Sequence, residues 1–325
     1  MNDRISSATT VTAPAVTVIA VCYNHARFLH ECLNSIVVQT MQEFQLIVAD
    51  DCSTDGSADL IEKWLAEHKP NALFIRHTVN IGLCKTLNES LLHARGDFIS
   101  MIATDDAWEP DKIERQLTLM SRQTAEVAVI YADATRMDET GQRIATDFIE
   151  AHVPECTRPS GHIFAELANR NFIPAMSTLV RRQALIDVGL YDERLSYEDY
   201  DMWLRLASRY CFVYCPLVLA RYRIVNTSIV RTIFAKPSAQ HYYTQHLICQ
   251  KWLPGRHLTQ TQREAWADRL LGSAYGLYVL GDARAKRALW WAVRYTLKPR
   301  AMLLAIASTL GISRKLAKQF MRSPE

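Results

Sequence analysis

The chain has 325 residues, 49% of them hydrophobic and 22% charged. That apolar content excludes an intrinsically disordered chain, and 11 Gly with 11 Pro exclude a collagen-like or low-complexity one. The net charge of +3 hides an asymmetry. Residues 251–325 hold 14 Lys and Arg against 4 Asp and Glu, a net of +10, while the first 250 hold 23 against 30, a net of −7. An acidic body with a basic final segment points to a tail that meets an anionic surface.

Residues 1–14 are rich in Ser, Thr and Ala and read as a disordered N-terminus without the apolar core of a secretory signal. The run 15–21 suits a buried strand. VTVIAVCY (16–23) is continuously β-branched and apolar, the pattern of a strand covered on both faces. A helical pattern follows, with Phe28, Leu29, Cys32 and Ile36 on one side. FQLIVAD (44–50) is a second strand, closed by the turn-forming DDCSTDGS. A helix over 58–68 carries Leu60, Ile61, Trp64 and Leu65 on one face. ALFIRH (72–77) reads as a third strand, 82–94 as a helix, and DFISMIA (97–103) as a fourth strand. Strands alternating with helices of this length predict an α/β fold with an open parallel sheet, whose ligands bind beyond the carboxyl ends of the strands. Three polar clusters fall at those ends: Tyr23-Asn24-His25, Asp50-Asp51 and Thr104-Asp105-Asp106.

The segment from Trp108 to Lys112 predicts the opening of a helix. Further strands are expected at 127–133 and 177–182, a helix at 200–208, and a strand pair or extended edge at 212–223. After Asn226 the pattern is helical to the end. The eight Cys form no CxxC pair and sit mostly in apolar runs, so they read as reduced core residues rather than zinc ligands.

Three acidic clusters each carry two readings. Asp105 and Asp106, adjacent at a strand end, repel each other in a cleft, and a hard divalent cation relieves that; alternatively they cap the helix that follows. Asp51 can accept from the imide N–H of a nucleobase, or can serve an Asx turn and the cap of the next helix. Asp199, after Glu198, can be a general base or a helix cap.

Four segments in register carry more information than any one of them. VTVIAVCYNHARFLHECLNSIVVQT, FQLIVADDCSTDGS, VNIGLCKTLNESLLHARGDFISMIATDDAWEPDKI and GLYDERLSYEDYDMWLRLA resemble family 2 inverting glycosyltransferases of the GT-A fold, over about residues 15–225. The resemblance implies a catalytic domain over 15–225, with a nucleotide-sugar half (15–115), an acceptor half (116–225) and a helical, basic C-terminal segment (226–325). It implies that Tyr23 and Asn24 sit beside the base and ribose, and that Asp51 reads the imide of a UDP- or dTDP-linked donor. Asn80 and Gly82 lie near the nucleotide with Asn88 behind them. Asp105 and Asp106 match the metal motif for Mn²⁺ or Mg²⁺, with Asp106 the direct ligand. Asp199 matches the catalytic base, and Trp203 matches an aromatic that lines the acceptor side or packs. The motif reads Thr-Asp-Asp, with Thr104 where a carboxylate is common. The loop after the last strand lacks the family's frequent His, leaving Arg223 or Arg231 as candidates for the diphosphate.

The expected activity is transfer of a sugar to a glycan or lipid-linked saccharide acceptor in bacterial surface polysaccharide synthesis. A sugar-nucleotide nucleotidyltransferase is the rival enzyme class, but residues 22–33 contain no Gly for its phosphate loop. A non-catalytic nucleotide-sugar-binding module is the third reading, and the presence of both Asp106 and Asp199 argues against it. Residues 283–324 hold ten Lys and Arg and no acid. On a helix, Arg284, Arg287, Arg294 and Lys298 fall within about 80° of one another, flanked by Trp291 and Tyr295. The longest uncharged stretch near the end, 301–313, has 13 residues against the roughly 20 of a spanning helix. The expectation is a cytoplasmic enzyme without a transmembrane segment, peripheral on an anionic membrane or carrying a helical subdomain that packs on the body or self-associates, and with no nucleic-acid partner.

Overall fold

The computed structural model describes residues 14–154, 157–225, 238–296 and 298–312. Arg231, Cys156 and the disordered stretch expected at the N-terminus lie outside those residues, apart from Pro14. The first half alternates as expected: β1 Val16–Cys22, α1 Leu29–Val37, β2 Phe44–Asp50, α2 Ser57–His68, β3 Leu73–Arg76, α3 Leu83–Leu92 and β4 Phe98–Ala103. Then come β5 Ala107–Trp108, α4 Lys112–Ser121, β6 Val127–Met137, α5 Phe148–His152, α6 Phe164–Asn169, β7 Leu179–Arg181, α7 Arg182–Asp187, α8 Asp199–Ala207 and β8 Cys211–Arg223. Four helices follow among the described residues: α9 Ala239–Trp252, α10 Gln260–Leu280, α11 Ala285–Val293 and α12 Pro299–Thr309.

The strands form one sheet in the order β3-β2-β1-β4-β7-β6-β8-β5. β1 pairs in parallel with both β2 and β4, and β6 with β8; β7 and β5 run antiparallel to their neighbours. β1 therefore needs apolar residues on both faces. Ile19 joins Ile47 and Ile99 on one side, and Val18 and Ala20 join Leu46 and Val48 under α1 and α2 on the other. The parallel register aligns Val21 with both Ala49 and Ala103. The polar clusters after those three strands are thereby brought side by side. Gly96 is required at the start of β4, because a Cβ there would lie 2.5 Å from the backbone nitrogen of Thr17.

Three local expectations are corrected. No helix opens at Trp108: Ala107 and Trp108 instead pair with Ala220 and Arg221 as an edge strand, and the helix begins at Lys112. The 212–223 segment is a single long strand rather than a pair. It carries two extra residues between the Tyr131–Tyr214 and Asp133–Val218 pairings, around Pro216, which has no N–H to give the ladder. The basic stripe does not run along one helix. Arg284 precedes α11, which ends at Val293, and Lys298 precedes α12. Arg284 donates to Asp282 and lies 4.1 Å over the Tyr243 ring, and Lys298 pairs with Asp268.

The C-terminal helices continue the core of the body. Leu247, Trp252, Trp266 and Leu270 pack in the same cluster as Leu167, Trp203 and Phe212. Polar ties cross the same seam: Trp266 Nε1 donates to the Ala168 carbonyl at 2.8 Å, and Gln262 donates to the Ala165 carbonyl at 2.7 Å. Trp266→Ala should thus cost about 3–5 kcal/mol. Thermal unfolding followed by circular dichroism and by a nucleotide-site probe should show one shared transition at lower Tm; a separate early transition of the C-terminal helices would contradict a common core.

Candidate active site

Tyr23 follows β1 and is 46% exposed, so its ring is available to a ligand. Asn24 takes a left-handed conformation (φ 59°) and turns the chain away from the sheet. Its Oδ1 accepts from the Thr54 N–H at 2.8 Å, and its own N–H donates to Ser53 Oγ at 2.8 Å. Asp50 and Asp55 supply the turn chemistry expected of this loop. Asp50 accepts from the Ser53 N–H, and Asp55 accepts from Ser57 and the Ala26 N–H. The hydrogen bonds from Ser57 and Ala26 hold the Asp55 carboxyl below its ordinary range against the opposing effect of burial.

Asp51 is buried and does not cap α2, whose N-cap is Gly56. It holds the next turn instead: Oδ1 accepts from the Ile81 N–H and Oδ2 from the Gly82 N–H, both at 2.8 Å. Asn80 donates to the Asp51 carbonyl at 3.1 Å. His77, which sequence reasoning missed, bridges Asp51 Oδ1 and Glu89 at 3.0 and 2.9 Å. With two acceptor positions on each oxygen, one on Oδ2 has no hydrogen-bond donor among the described residues. Gly82 (φ 88°) precedes α3 in a conformation that disfavours a side chain. Asn88 serves a different element: it exchanges hydrogen bonds with the backbone of Tyr191, both 2.9 Å.

The capping reading of Asp105 and Asp106 fails, since the N-cap of α4 is Asp111. Asp106 is 4% exposed, and its Oδ1 accepts the Arg223 N–H at 2.8 Å. Burial, followed by the charge of Asp105, pushes the Asp106 carboxyl well above the usual range. Asp105 is less covered, with His25 Nδ1 3.7 Å from its Oδ1. Among the described residues no group of three or more His, Cys, Asp or Glu is arranged to hold a metal. The chemistry of these two carboxylates nonetheless fits a hard divalent cation whose remaining ligands come from a diphosphate and water. Arg223 is not free for a diphosphate. Its guanidinium donates to the carbonyls of Asp105 and Asp138 and to Glu31, and it stacks over Phe28.

Asp199 is the first residue of α8. Its Oδ2 accepts from Asn171 at 2.8 Å and its Oδ1 from the Tyr200 N–H at 2.6 Å. Burial raises its carboxyl above the ordinary range, partly opposed by those two donors. Burial and the neighbouring Asp199 push Glu198 up to about 8. Trp203, one turn on, is fully buried edge-on to Phe212 and packs rather than lining a cleft. Tyr222 precedes Arg223 at the end of β8. Burial, then the charges of Asp106, Asp105 and Asp199, raise its phenol, and its ring meets Phe148 edge-on at 5.2 Å. Asn171 lies 28 residues before Asp199, and no sequence signal marks it.

A carboxyl whose folded pKa is raised contributes stability that is full below its unfolded value and is lost as pH rises through the folded one. For Glu198 the window runs from 4.5 to about 8. Glu198→Gln, neutral throughout, should gain Tm over the wild type steadily across that window in a pH series of melts. A constant Tm difference would contradict the buried-acid assignment.

The family model "Glycosyl transferase family 2" matches residues 17–189. The putative teichuronic acid biosynthesis glycosyltransferase TuaG of Bacillus subtilis is 25% identical over 218 residues, 66% of this chain and 81% of that protein. An uncharacterized glycosyltransferase of Methanocaldococcus jannaschii is 26% identical over 237 residues, 71% of this chain and 78% of that one. Two solved structures share the fold at 18% identity. Staphylococcus aureus TarS in complex with UDP-GlcNAc has a TM-score of 0.62, covering 94% of this chain and 91% of that one. The mannosyltransferase PcManGT from Pyrobaculum calidifontis in complex with GDP-Man and Mn²⁺ has a TM-score of 0.57, covering 95% and 84%. The fold is thus GT-A, and with more than half of its residues inside the family match, the chain belongs to glycosyl transferase family 2 and is a glycosyltransferase.

Proposed function

We propose that the protein is a metal-dependent, inverting glycosyltransferase. It moves a sugar from a UDP- or dTDP-linked donor onto a hydroxyl of a glycan or lipid-linked saccharide in bacterial surface polysaccharide synthesis. The observation that carries this reading is the parallel register that sets Asp105-Asp106 after β4 beside the Asn24 and Asp51 loops after β1 and β2, together with the buried carboxyl of Asp199 held by Asn171 at the start of α8. TuaG's assignment to teichuronic acid biosynthesis supports a polysaccharide pathway, TarS's bound UDP-GlcNAc supports a uridine donor, and PcManGT's Mn²⁺ supports a divalent metal.

In this mechanism Tyr23 offers its ring to the base, and the open acceptor position of Asp51 takes the imide N–H of uracil or thymine. Asn24, Asn80 and Gly82 shape the loops around the nucleotide. Asp106, with Asp105 beside it, would hold Mn²⁺ or Mg²⁺. Bound there, the cation would supply counter-charge for the departing diphosphate. Asp199 takes the proton of the acceptor hydroxyl as that oxygen attacks the anomeric carbon. Its raised carboxyl is a stronger base than an exposed aspartate, and Asn171 fixes which oxygen faces the acceptor. With base and leaving group on opposite faces of the sugar, one displacement inverts the centre. A lipid-linked acceptor implies work at the cytoplasmic face of the membrane, and the +10 net charge of residues 251–325 supports peripheral attachment there.

Asp106→Asn keeps the acceptor for the Arg223 N–H but removes the charge. It should lower transfer by about two orders of magnitude or more and abolish the Mn²⁺ dependence of nucleotide binding, read by calorimetry with and without chelator. Near wild-type transfer would overturn the metal assignment. Asp199→Asn should lower kcat by about 10²–10⁴ while donor affinity is retained. Parallel loss of donor affinity would make Asp199 a donor-side or structural residue.

A further inference from the structure

We infer that the α11–α12 hairpin is a membrane-docking element that inserts an apolar helix face into an anionic bilayer. This extends the proposed peripheral attachment by naming its surface, which differs from the basic stripe expected from sequence. The hairpin packs inward through small residues: Ala285, Ala288 and Ala292 on α11, and Ala301 and Ala305 on α12, with Leu289 and Leu304. The larger apolar side chains of α12 point outward. Met302 is 42% exposed, Leu303 58%, Ile306 41% and Leu310 69%. At 100° per residue these four fall within about 100° of one another, so they form one face. Trp290 of α11 is also exposed, and its Nε1 donates to Thr309 Oγ1 at 3.0 Å, which joins the indole to the same patch.

The rim identifies the occupant. Lys286, Arg287, Arg294 and Arg300 are exposed beside the patch, and none has an ion-pair partner among the described residues. Residues 301–313 carry no charge, so the face can enter the acyl boundary without desolvating an ion, while the cations stay at the headgroups. A symmetric contact between two copies of this face would bring their cationic rims together, Lys286, Arg287, Arg294 and Arg300 of each copy facing cations of the other, which disfavours self-association. No helix among the described residues is long and apolar enough to cross a membrane, which suits a surface mode.

The test uses the full chain and flotation with vesicles of phosphatidylcholine alone or with phosphatidylglycerol. Wild type should float with the phosphatidylglycerol vesicles and bind phosphatidylcholine weakly. A blue shift of Trp emission on binding should disappear in Trp290→Phe. The triple variant Leu303→Ser, Ile306→Ser, Leu310→Ser changes only exposed positions. It should lose at least about tenfold in vesicle partitioning while keeping its far-UV spectrum and its donor affinity. The triple variant Arg287→Glu, Arg294→Glu, Arg300→Glu should lose binding most strongly at low salt. The inference is overturned if wild type ignores phosphatidylglycerol vesicles at low salt, or if the serine variant binds them like wild type. It is also overturned if light scattering shows a wild-type dimer that the serine variant dissolves, since the face is then a contact between copies. None of these readouts depends on turnover, so failure of the proposed transfer reaction would remain distinguishable.

Discussion

Two adjacent carboxylates at the end of a buried strand must be reconciled with a low-dielectric surrounding, and the way this chain does so organises its candidate active site. Asp106 receives the N–H of Arg223, a residue 117 positions later at the end of β8. The same arginine donates its Nε to the Asp105 carbonyl, reaches the Asp138 carbonyl after β6, pairs with Glu31 of α1 and lies 4.7 Å over Phe28. One buried side chain thus ties the acidic turn to the helix after β1 and to both long strands of the second half. The short strand β5 follows from this arrangement. Once Asp106 is anchored to Arg223, Ala107 and Trp108 fall beside Arg221 and Ala220. A guanidinium so fully engaged supports the turn and is unavailable to a substrate phosphate.

The parallel half was legible because its signals are local. Continuous apolar runs gave β1, β2 and β4, and the polar residues just past them marked the ligand side before any pairing was known. The sequence order of GT-A motifs supplied the family. What it could not reveal are contacts between distant segments. Whether Asp105 and Asp106 cap a helix or face a cleft depends on Arg223. Whether Asp51 caps α2 or braces the Asn80–Gly82 turn depends on amide groups about thirty residues away. Asn171, which orients Asp199, sits 28 residues upstream in a segment with no motif. The bulge in β8 needed Pro216 to be weighed against a partner strand not yet assigned.

The C-terminal helices show the same limit for charge. Their excess of cations was countable, but a helical wheel drawn through 284–298 assumed one continuous helix. The break after Val293 and the acids at Asp282 and Asp268 take Arg284 and Lys298 out of the proposed stripe. Apolar content alone also misleads here. Alanines fill the inner face of α11 and α12 because two helices approach closely only over small side chains. On α12, Met302, Leu303, Ile306 and Leu310 are then left exposed while Leu304 is buried; α11 keeps the ordinary arrangement, with Leu289 buried and Lys286, Arg287 and Arg294 exposed.

These helices also bear on the chemistry, because they brace the helix that carries the candidate base. Lys251 of α9 donates to Asp201 at 2.7 Å and pairs with Asp192 at 2.8 Å, one contact on α8 and one on the loop before it. Thr244 of the same helix accepts from the Ser196 N–H at 2.9 Å, three residues before Asp199. On the body side, Trp266 and Gln262 of α10 seat on α6, which precedes Asn171. Asp199 and Asn171 are therefore both backed by the C-terminal helices.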